Sequence, residues 1–151
     1  MIFFFDTSAL IKRYLHEKGS AHIRRLLQTG GAIFYQTFIA PVEITSGLYR
    51  RHREGQISIE QLSVLLRSCA AHSHREYLLV PYSESLTDMA AALISRHPLR
   101  ALDAIQLTSA LQLSRSLPAG TPPLIFLSAD GRLVRIARQE HLQVENPESF
   151  S

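Results

Sequence analysis

Short apolar runs alternate along the chain with longer stretches in which apolar residues recur every three or four positions. The short runs predict buried strands, and the longer stretches predict amphipathic helices. The predicted strands cover residues 2–5, 33–35, 77–80 and 124–127, and residues 142–144 form a fifth, short edge strand.

Helices are predicted in the intervals between these strands. Capping-box spacing from Ser58 to Gln61 marks one helix start, and Pro41 is compatible with the first turn of another. The first predicted helix contains Leu10 and Leu15, and the second begins at Ser20. The third covers residues 39–53, the fourth begins after Ser58 and the fifth begins at Ser85. The last two cover residues 101–113 and 132–138.

Strands that alternate with helices imply a parallel sheet with helices on both faces. Residues 2–5 and 124–127 are apolar at every position, as strands buried on both sides must be. Because no linker, repeat or low-complexity segment divides the chain, we predict one α/β domain over residues 1–151. Its expected architecture is a three-layer sandwich around a parallel sheet of four to five strands.

Composition excludes several classes of protein. Of 151 residues, 46% are hydrophobic, and Cys69 is the one cysteine, so neither disorder nor a disulfide scaffold is expected. No apolar run approaches the roughly 20 residues that span a bilayer, and the segment after Met1 lacks the basic start of a signal peptide. We therefore expect a soluble, cytoplasmic protein without a membrane partner.

The charge balance is mildly basic. The net charge is +3, and all the cationic residues except Lys12 and Lys18 are arginines. Arginine suits phosphate recognition, but a GC-rich genome would produce the same bias. A nucleic-acid partner is therefore allowed by the charge and not demonstrated by it.

Two aspartates stand just beyond fully apolar strands. Asp6 ends the first run, and Asp130 follows Ser128-Ala129 after the fourth. In open α/β sheets, ligands bind outside the carboxyl ends of the strands, so these carboxylates face each other if the first and fourth strands are neighbours. Taken singly, Asp6 is better explained as a helix cap and Asp130-Gly131 as a turn.

Two further carboxylates, Glu43 and Asp103, stand near the starts of predicted helices. Asp103 shares the apolar stripe of its helix with Leu107 and Ala110. Each acid alone could simply be stabilised by the helix dipole. Together with Asp6 and Asp130, however, they would repel one another strongly without a cation between them.

Oxygen ligands without a cysteine or histidine pattern suit Mg²⁺ or Mn²⁺. The chain has no dinucleotide-binding glycine motif, no phosphate-binding loop of the nucleotide-hydrolase type and no H-E-x-x-H sequence. A hard divalent cation is therefore the cofactor that the sequence favours.

The segments around the four acids resemble the acidic motifs of the PIN-domain family, in order. They read Phe4-Phe5-Asp6-Thr7-Ser8, Ala40-Pro41-Val42-Glu43, Leu102-Asp103-Ala104-Ile105-Gln106 and Leu127-Ser128-Ala129-Asp130. The resemblance extends from Ile2 to about Val144, and small PIN domains of this size resemble the VapC-like toxins of VapBC toxin–antitoxin systems. One departure is Gln106, where many relatives carry histidine.

The resemblance implies a Mg²⁺- or Mn²⁺-dependent endoribonuclease that inhibits translation, forms a homodimer and is neutralised by a VapB-like antitoxin. Asp6 and Asp103 would be the principal metal ligands, with Glu43 and Asp130 completing the catalytic set. Ser8 and Ser128 could support these ligands. Arg50, Arg100 and Arg132 are candidates for holding the RNA backbone, although a solvated surface is the stronger interpretation for each one.

Two alternatives remain open from the residues. A phosphotransfer or receiver-type domain also places an aspartate after an apolar strand, but here Ser8 stands where dehalogenase-type phosphatases need a second aspartate. A non-catalytic PIN-like RNA-binding module would be expected to lack some of the acids, and this chain has all four.

Overall fold

The computed structural model describes residues 1–150 and places five strands in one parallel sheet, as the alternation of strands and helices predicts. The strands are β1 (Ile2–Phe5), β2 (Ile33–Thr37), β3 (Leu78–Val80), β4 (Leu124–Leu127) and β5 (Gln143–Glu145). Their order across the sheet is β3-β2-β1-β4-β5, so β1 lies at the centre with β2 and β4 beside it.

Helices connect the strands and cover both faces of the sheet. They are α1 (Thr7–Leu10), α2 (Ser20–Leu26), α3 (Ala40–Arg53), α4 (Ile59–Arg75), α5 (Glu84–Arg96), α6 (Ala101–Ser116) and α7 (Gly131–Gln139). Single 3₁₀ turns follow at Ile11–Arg13 and at Pro147–Ser149. None of the helices within residues 1–150 is long and apolar enough to cross a membrane.

Alternate side chains of β1 build two separate cores. Phe4 packs with Phe126 and Leu107 on one face of the sheet, and Phe3 and Phe5 contribute to a second core on the other face. Both Phe4 and Phe5 are fully buried. The central strand therefore has no polar side chain until the chain leaves the sheet at Asp6.

One helix end and one helix start differ from the sequence prediction. The helix expected through Leu15 ends at Leu10 and continues only as the 3₁₀ turn at Ile11–Arg13, within which the buried Lys12 pairs with Glu148. The fifth helix begins at Glu84 and not at Ser85, because the Ser83 side chain accepts a hydrogen bond from the backbone N–H of Leu86.

The C-terminal segment packs against the region between β1 and α2. Lys12, whose side chain is 4% exposed, donates hydrogen bonds to Glu17 at 2.9 Å and to Glu148 at 2.8 Å. Gly19, at φ 86°, lies so close to Pro147 that a Cβ atom there would stand 2.9 Å from the proline carbonyl carbon. Glycine at position 19 thus serves both the backbone conformation and this close contact.

A set of three alanine substitutions separates these two roles of Gly19. Gly30→Ala should change the free energy of unfolding by less than about 0.5 kcal/mol, since that site has open space and an ordinary φ. Gly31→Ala should cost about 1 kcal/mol because its φ is 71° in open space. Gly19→Ala should cost about 2–4 kcal/mol, since strain and overlap add. Urea denaturation measures all three, and equal losses at positions 19 and 31 would contradict the close packing.

Candidate functional site

Four acidic side chains from distant parts of the chain line one open cleft of about 790 Å³. Asp6 and Asp130 follow the central strands β1 and β4, which are hydrogen-bonded neighbours. Glu43 and Asp103 come from α3 and α6. The structure thus brings together all four acids that the sequence singles out, beyond the carboxyl end of β1.

Each of these acids also stands at the beginning of a helix. Asp6 is the N-cap of α1 and Asp130 is the N-cap of α7, while Glu43 and Asp103 lie in the first turns of α3 and α6. Each acid therefore stands at the start of a helix and at the same time contributes to the shared cleft. Helix N-termini carry partial positive charge, which reduces the cost of gathering the carboxylates.

Asp6 is held by two serines. Its Oδ2 accepts hydrogen bonds from Ser8 Oγ at 2.5 Å and from Ser128 Oγ at 2.9 Å. The two serine oxygens are 3.2 Å apart, and the backbone N–H of Ala129 donates to Ser8 Oγ. The serines therefore fix the Asp6 side chain between β1 and the segment after β4.

The electrostatic state of Asp6 is unfavourable despite these bonds. Burial raises the pKa of its carboxyl to about 6, the serine hydrogen bonds oppose that rise, and the charges of Glu43 and Asp103 add to it. Desolvation is the largest cause. A cation in the cleft would offset both burial and repulsion.

Glu43 is held by Thr7 and Gln106. Its Oε2 accepts a hydrogen bond from Thr7 Oγ1 at 2.8 Å and another from Gln106 Nε2 at 2.5 Å. Burial raises the pKa of the Glu43 carboxyl, and these two hydrogen bonds act in the opposite direction. Asp103 adds a smaller upward contribution through its charge.

Asp103 and Asp130 form the other side of the cleft. Asp103 Oδ2 accepts a hydrogen bond from Arg132 at 3.2 Å, and Asp130 Oδ1 accepts from the backbone N–H groups of Arg132 and Leu133. Burial and the charge of Asp130 raise the pKa of Asp103, whereas Arg132 and Arg100 lower it.

The three candidate RNA-binding arginines differ in position. Arg50 and Arg100 line the cleft, whereas Arg132 stands beside it and pairs with Asp103. Exposed apolar side chains also line the cleft, since Val42 is 70% exposed and Leu102 is 48% exposed. The cleft therefore combines acids with flanking cations and apolar contact surface.

The acids provide the oxygen donors that Mg²⁺ and Mn²⁺ prefer, and the cleft contains no competing thiol or imidazole. The hydrogen bonds described above occupy Oδ2 of Asp6 and Oε2 of Glu43, and they leave the second oxygen of each to a ligand. Within residues 1–150, however, no three acidic, cysteine or histidine side chains already surround a common point closely enough to hold an ion. The donor set fits such a metal in chemistry, but the ligands do not stand in a finished coordination sphere.

Thr7 and Gln106 both contact a side chain of the site, and the sequence pattern does not assign a role to either residue. Gln106 stands three residues after Asp103, and Thr7 directly follows Asp6. A polar residue in the apolar interior of α6 is the signal that could have identified Gln106, which is 1% exposed. Its partner Glu43 is 63 residues away in sequence, and the local pattern does not reveal that contact.

Comparison with known proteins agrees with this α/β fold. The PIN domain pattern matches residues 3–139, which is most of the chain. The protein belongs to the PIN-domain family.

Several solved structures share the fold at low sequence identity. A chain of VapBC2 from Rickettsia felis, crystallised with a promoter DNA fragment, has a TM-score of 0.64 at 13% identity, covering 97% of this chain and 98% of that one. A chain of FitAcB from Neisseria gonorrhoeae has a TM-score of 0.62 at 16% identity, with coverage of 97% and 98%. A chain of a toxin–antitoxin complex from Klebsiella pneumoniae has a TM-score of 0.61 at 20% identity, with coverage of 95% and 96%. No curated protein sequence matches the chain significantly.

Asp6→Asn should stabilise the metal-free protein above pH 6. An unfolded aspartate titrates near 3.9, so the folded chain, with a pKa of about 6 at Asp6, loses stability as pH rises between these values. The neutral amide avoids that loss, and we expect the free energy of unfolding at pH 7.5 to rise by about 1–3 kcal/mol.

Denaturant titrations at pH 5 and pH 7.5 test this prediction. The exposed Asp88 provides the matched control, and Asp88→Asn should leave stability nearly unchanged at both pH values. A loss of stability in Asp6→Asn at pH 7.5 would contradict the unfavourable burial of the Asp6 charge.

Proposed function

We propose that this protein is a Mg²⁺- or Mn²⁺-dependent endoribonuclease that acts as the toxin of a toxin–antitoxin pair and inhibits translation. The observation that carries the proposal is the convergence of Asp6, Glu43, Asp103 and Asp130 on one cleft. Membership of the PIN-domain family and the fold shared with VapBC and FitAB structures support it.

The roles of the acids follow from the resemblance of their segments to the PIN-domain motifs. Asp6 and Asp103 are assigned on that ground as the principal metal ligands, and both line the cleft. Glu43 and Asp130 would bind through water, complete a second metal position or orient the attacking water. A divalent ion held by these carboxylates would supply an activated water and positive charge to offset that on the phosphate and the leaving oxygen.

The chain's other residues bind and orient the substrate. Arg50 and Arg100 line the same cleft as the acids, where their guanidinium groups can hold backbone phosphates on either side of the scissile bond. Arg132 would join them once released from Asp103. Ser8 and Ser128 keep Asp6 in place through Oδ2, which leaves Oδ1 for the ligand.

Hydrolysis by this site should leave a 5′-phosphate and a 3′-hydroxyl, because water and not the ribose 2′-hydroxyl attacks phosphorus. An RNA with a single 2′-deoxy residue at the cleaved position should therefore still be cut. End-group analysis of the products measures the first outcome, and a matched substrate pair measures the second. Products with 2′,3′-cyclic phosphate would contradict the mechanism.

Asp6→Asn and Asp103→Asn should each lower cleavage by more than about 100-fold, since the amide keeps the shape of the side chain and removes the ligand charge. RNA binding should persist or tighten, because a negative charge near the phosphate is lost. Cleavage assays and gel shifts with both variants measure these effects, with Asp88→Asn as the unaffected control. Full activity in either site variant would place the active site elsewhere.

We also propose that a small antitoxin protein neutralises this activity by occupying the cleft. The support is that solved structures of the same fold include complexes of toxins with antitoxins, by their own descriptions.

As a second part of this proposal, the chain forms a homodimer. Exposed apolar residues at the edge strand β3 support self-association, since Leu78 is 52% and Leu79 is 46% exposed. Sedimentation equilibrium measures the oligomeric state.

Induced expression of the wild-type chain should arrest growth with altered RNA and intact DNA, because the target of the site is RNA. Asp6→Asn should not arrest growth, since it lacks the nuclease activity. Growth curves, together with RNA and DNA profiles, compare the two proteins at equal expression levels. Arrest of equal strength by Asp6→Asn would show that growth inhibition does not come from hydrolysis.

A further inference from the structure

Gln106 connects three separate parts of the candidate site. It lies on α6 and is 1% exposed, and its Nε2 atom donates to Thr7 Oγ1 at 2.9 Å and to Glu43 Oε2 at 2.5 Å. Thr7 Oγ1 in turn donates to Glu43 Oε2 at 2.8 Å. Gln106 comes from α6, Thr7 directly follows Asp6, and Glu43 comes from α3.

The direction of these hydrogen bonds is fixed by chemistry. The Thr7 hydroxyl has one hydrogen, which goes to Glu43, so its oxygen is left to accept from Gln106. The amide NH₂ of Gln106 supplies both remaining hydrogens, one to each partner. Glu43 Oε2 therefore receives two donors, and neither bond involves Glu43 Oε1.

We propose that Gln106, with Thr7, is a positioning residue that fixes the Glu43 carboxylate through Oε2 and thereby presents Oε1 to a divalent cation in the cleft. This inference rests on the proposed metal-dependent function. Gln106 itself touches neither the metal nor the substrate. Groups that orient metal ligands in this way typically change metal affinity by about 10–100-fold when they are removed.

A packing role alone does not explain the choice of glutamine. The Oε1 atom of Gln106 is buried without a hydrogen-bond partner among residues 1–150, which costs free energy that an apolar side chain of similar size would avoid. The buried amide therefore costs stability through its unpartnered Oε1 atom. The two hydrogen bonds that its Nε2 atom donates to Thr7 and Glu43 account for the presence of glutamine despite this cost.

A second buried glutamine provides the matched control. Gln36 on β2 is fully buried, and neither its Nε2 nor its Oε1 atom has a partner among the described residues. Gln36→Met therefore makes the same chemical change as Gln106→Met in a similar environment, but it breaks no hydrogen bond to the site.

The first measurement is Mn²⁺ affinity of the metal-free protein, determined by electron paramagnetic resonance of the free ion, which is independent of activity. Gln106→Met should raise the Mn²⁺ dissociation constant by about 10-fold or more. Gln36→Met should leave it unchanged. Gln106→His retains an N–H donor and should therefore recover most of the Mn²⁺ affinity. Gln106→Glu places an acceptor against Glu43 Oε2 and should therefore bind Mn²⁺ at least as weakly as Gln106→Met.

The second measurement couples Gln106 to Thr7. Thr7→Val removes the hydroxyl at nearly constant size, and it should also weaken Mn²⁺ binding. The double variant Thr7→Val with Gln106→Met should lose less than the product of the two single effects, because both act on the same carboxylate. In cleavage assays at a fixed Mn²⁺ concentration, kcat should fall while the KM for RNA stays near the wild-type value.

Failure of the inference and failure of the proposed function give different results. If Gln106→Met and Gln36→Met bind Mn²⁺ equally well, while Asp6→Asn abolishes binding, the metal site stands and the positioning role of Gln106 is wrong. If the wild type binds no Mn²⁺ that depends on Asp6, the proposed function and this inference both fail. Equal affinity of Gln106→His and Gln106→Met would also overturn the role of the donor.

Discussion

The burial of several carboxylates close to one another at the end of the central strand is the constraint around which the site is arranged. Asp6 is 5% exposed and has Glu43 and Asp103 close enough to raise its pKa further. The chain limits this cost by three means: serine hydroxyls on Asp6, amide and hydroxyl donors on Glu43, and the helix starts that follow the acids. These contacts reduce the repulsion without neutralising it, so the site retains a net demand for positive charge.

The fold makes this arrangement possible because the sheet is parallel and its central strands are short and apolar. β1 pairs with β4 in register from Ile2 opposite Leu124 to Phe5 opposite Leu127, so the residues that follow both strands emerge side by side. Buried aromatic side chains on both faces hold β1 rigidly, with Phe4 in one core and Phe5 in the other. Rigid backbone at this position matters because an error of about 1 Å in a ligand group is enough to impair a catalytic site.

The sequence predicts this frame well and the contacts of the site only in part. Asp6 and Asp130 were identifiable because each follows a fully apolar strand, which is a local pattern. The contact of Gln106 with Glu43 was not, since it joins α6 to α3 and depends on how the helices pack. Beyond the early end of α1, Lys12 likewise has a distant partner, Glu148, which is 136 residues away. Local periodicity carries no information about such partners.

The chain handles buried charge in two different ways. Around Lys12 it supplies its own cations, because Lys12 pairs with Glu17 and Glu148 and Arg51 also pairs with Glu17, so that two cations balance two carboxylates. In the cleft, the one ion pair formed by the four acids within residues 1–150 joins Asp103 to the half-exposed Arg132. A lysine placed like Lys12 would remove the repulsion at Asp6 and would also occupy the space of a substrate or an ion. Leaving the acids without such a partner costs stability, and under the proposed function it is the condition for binding a cation from solution.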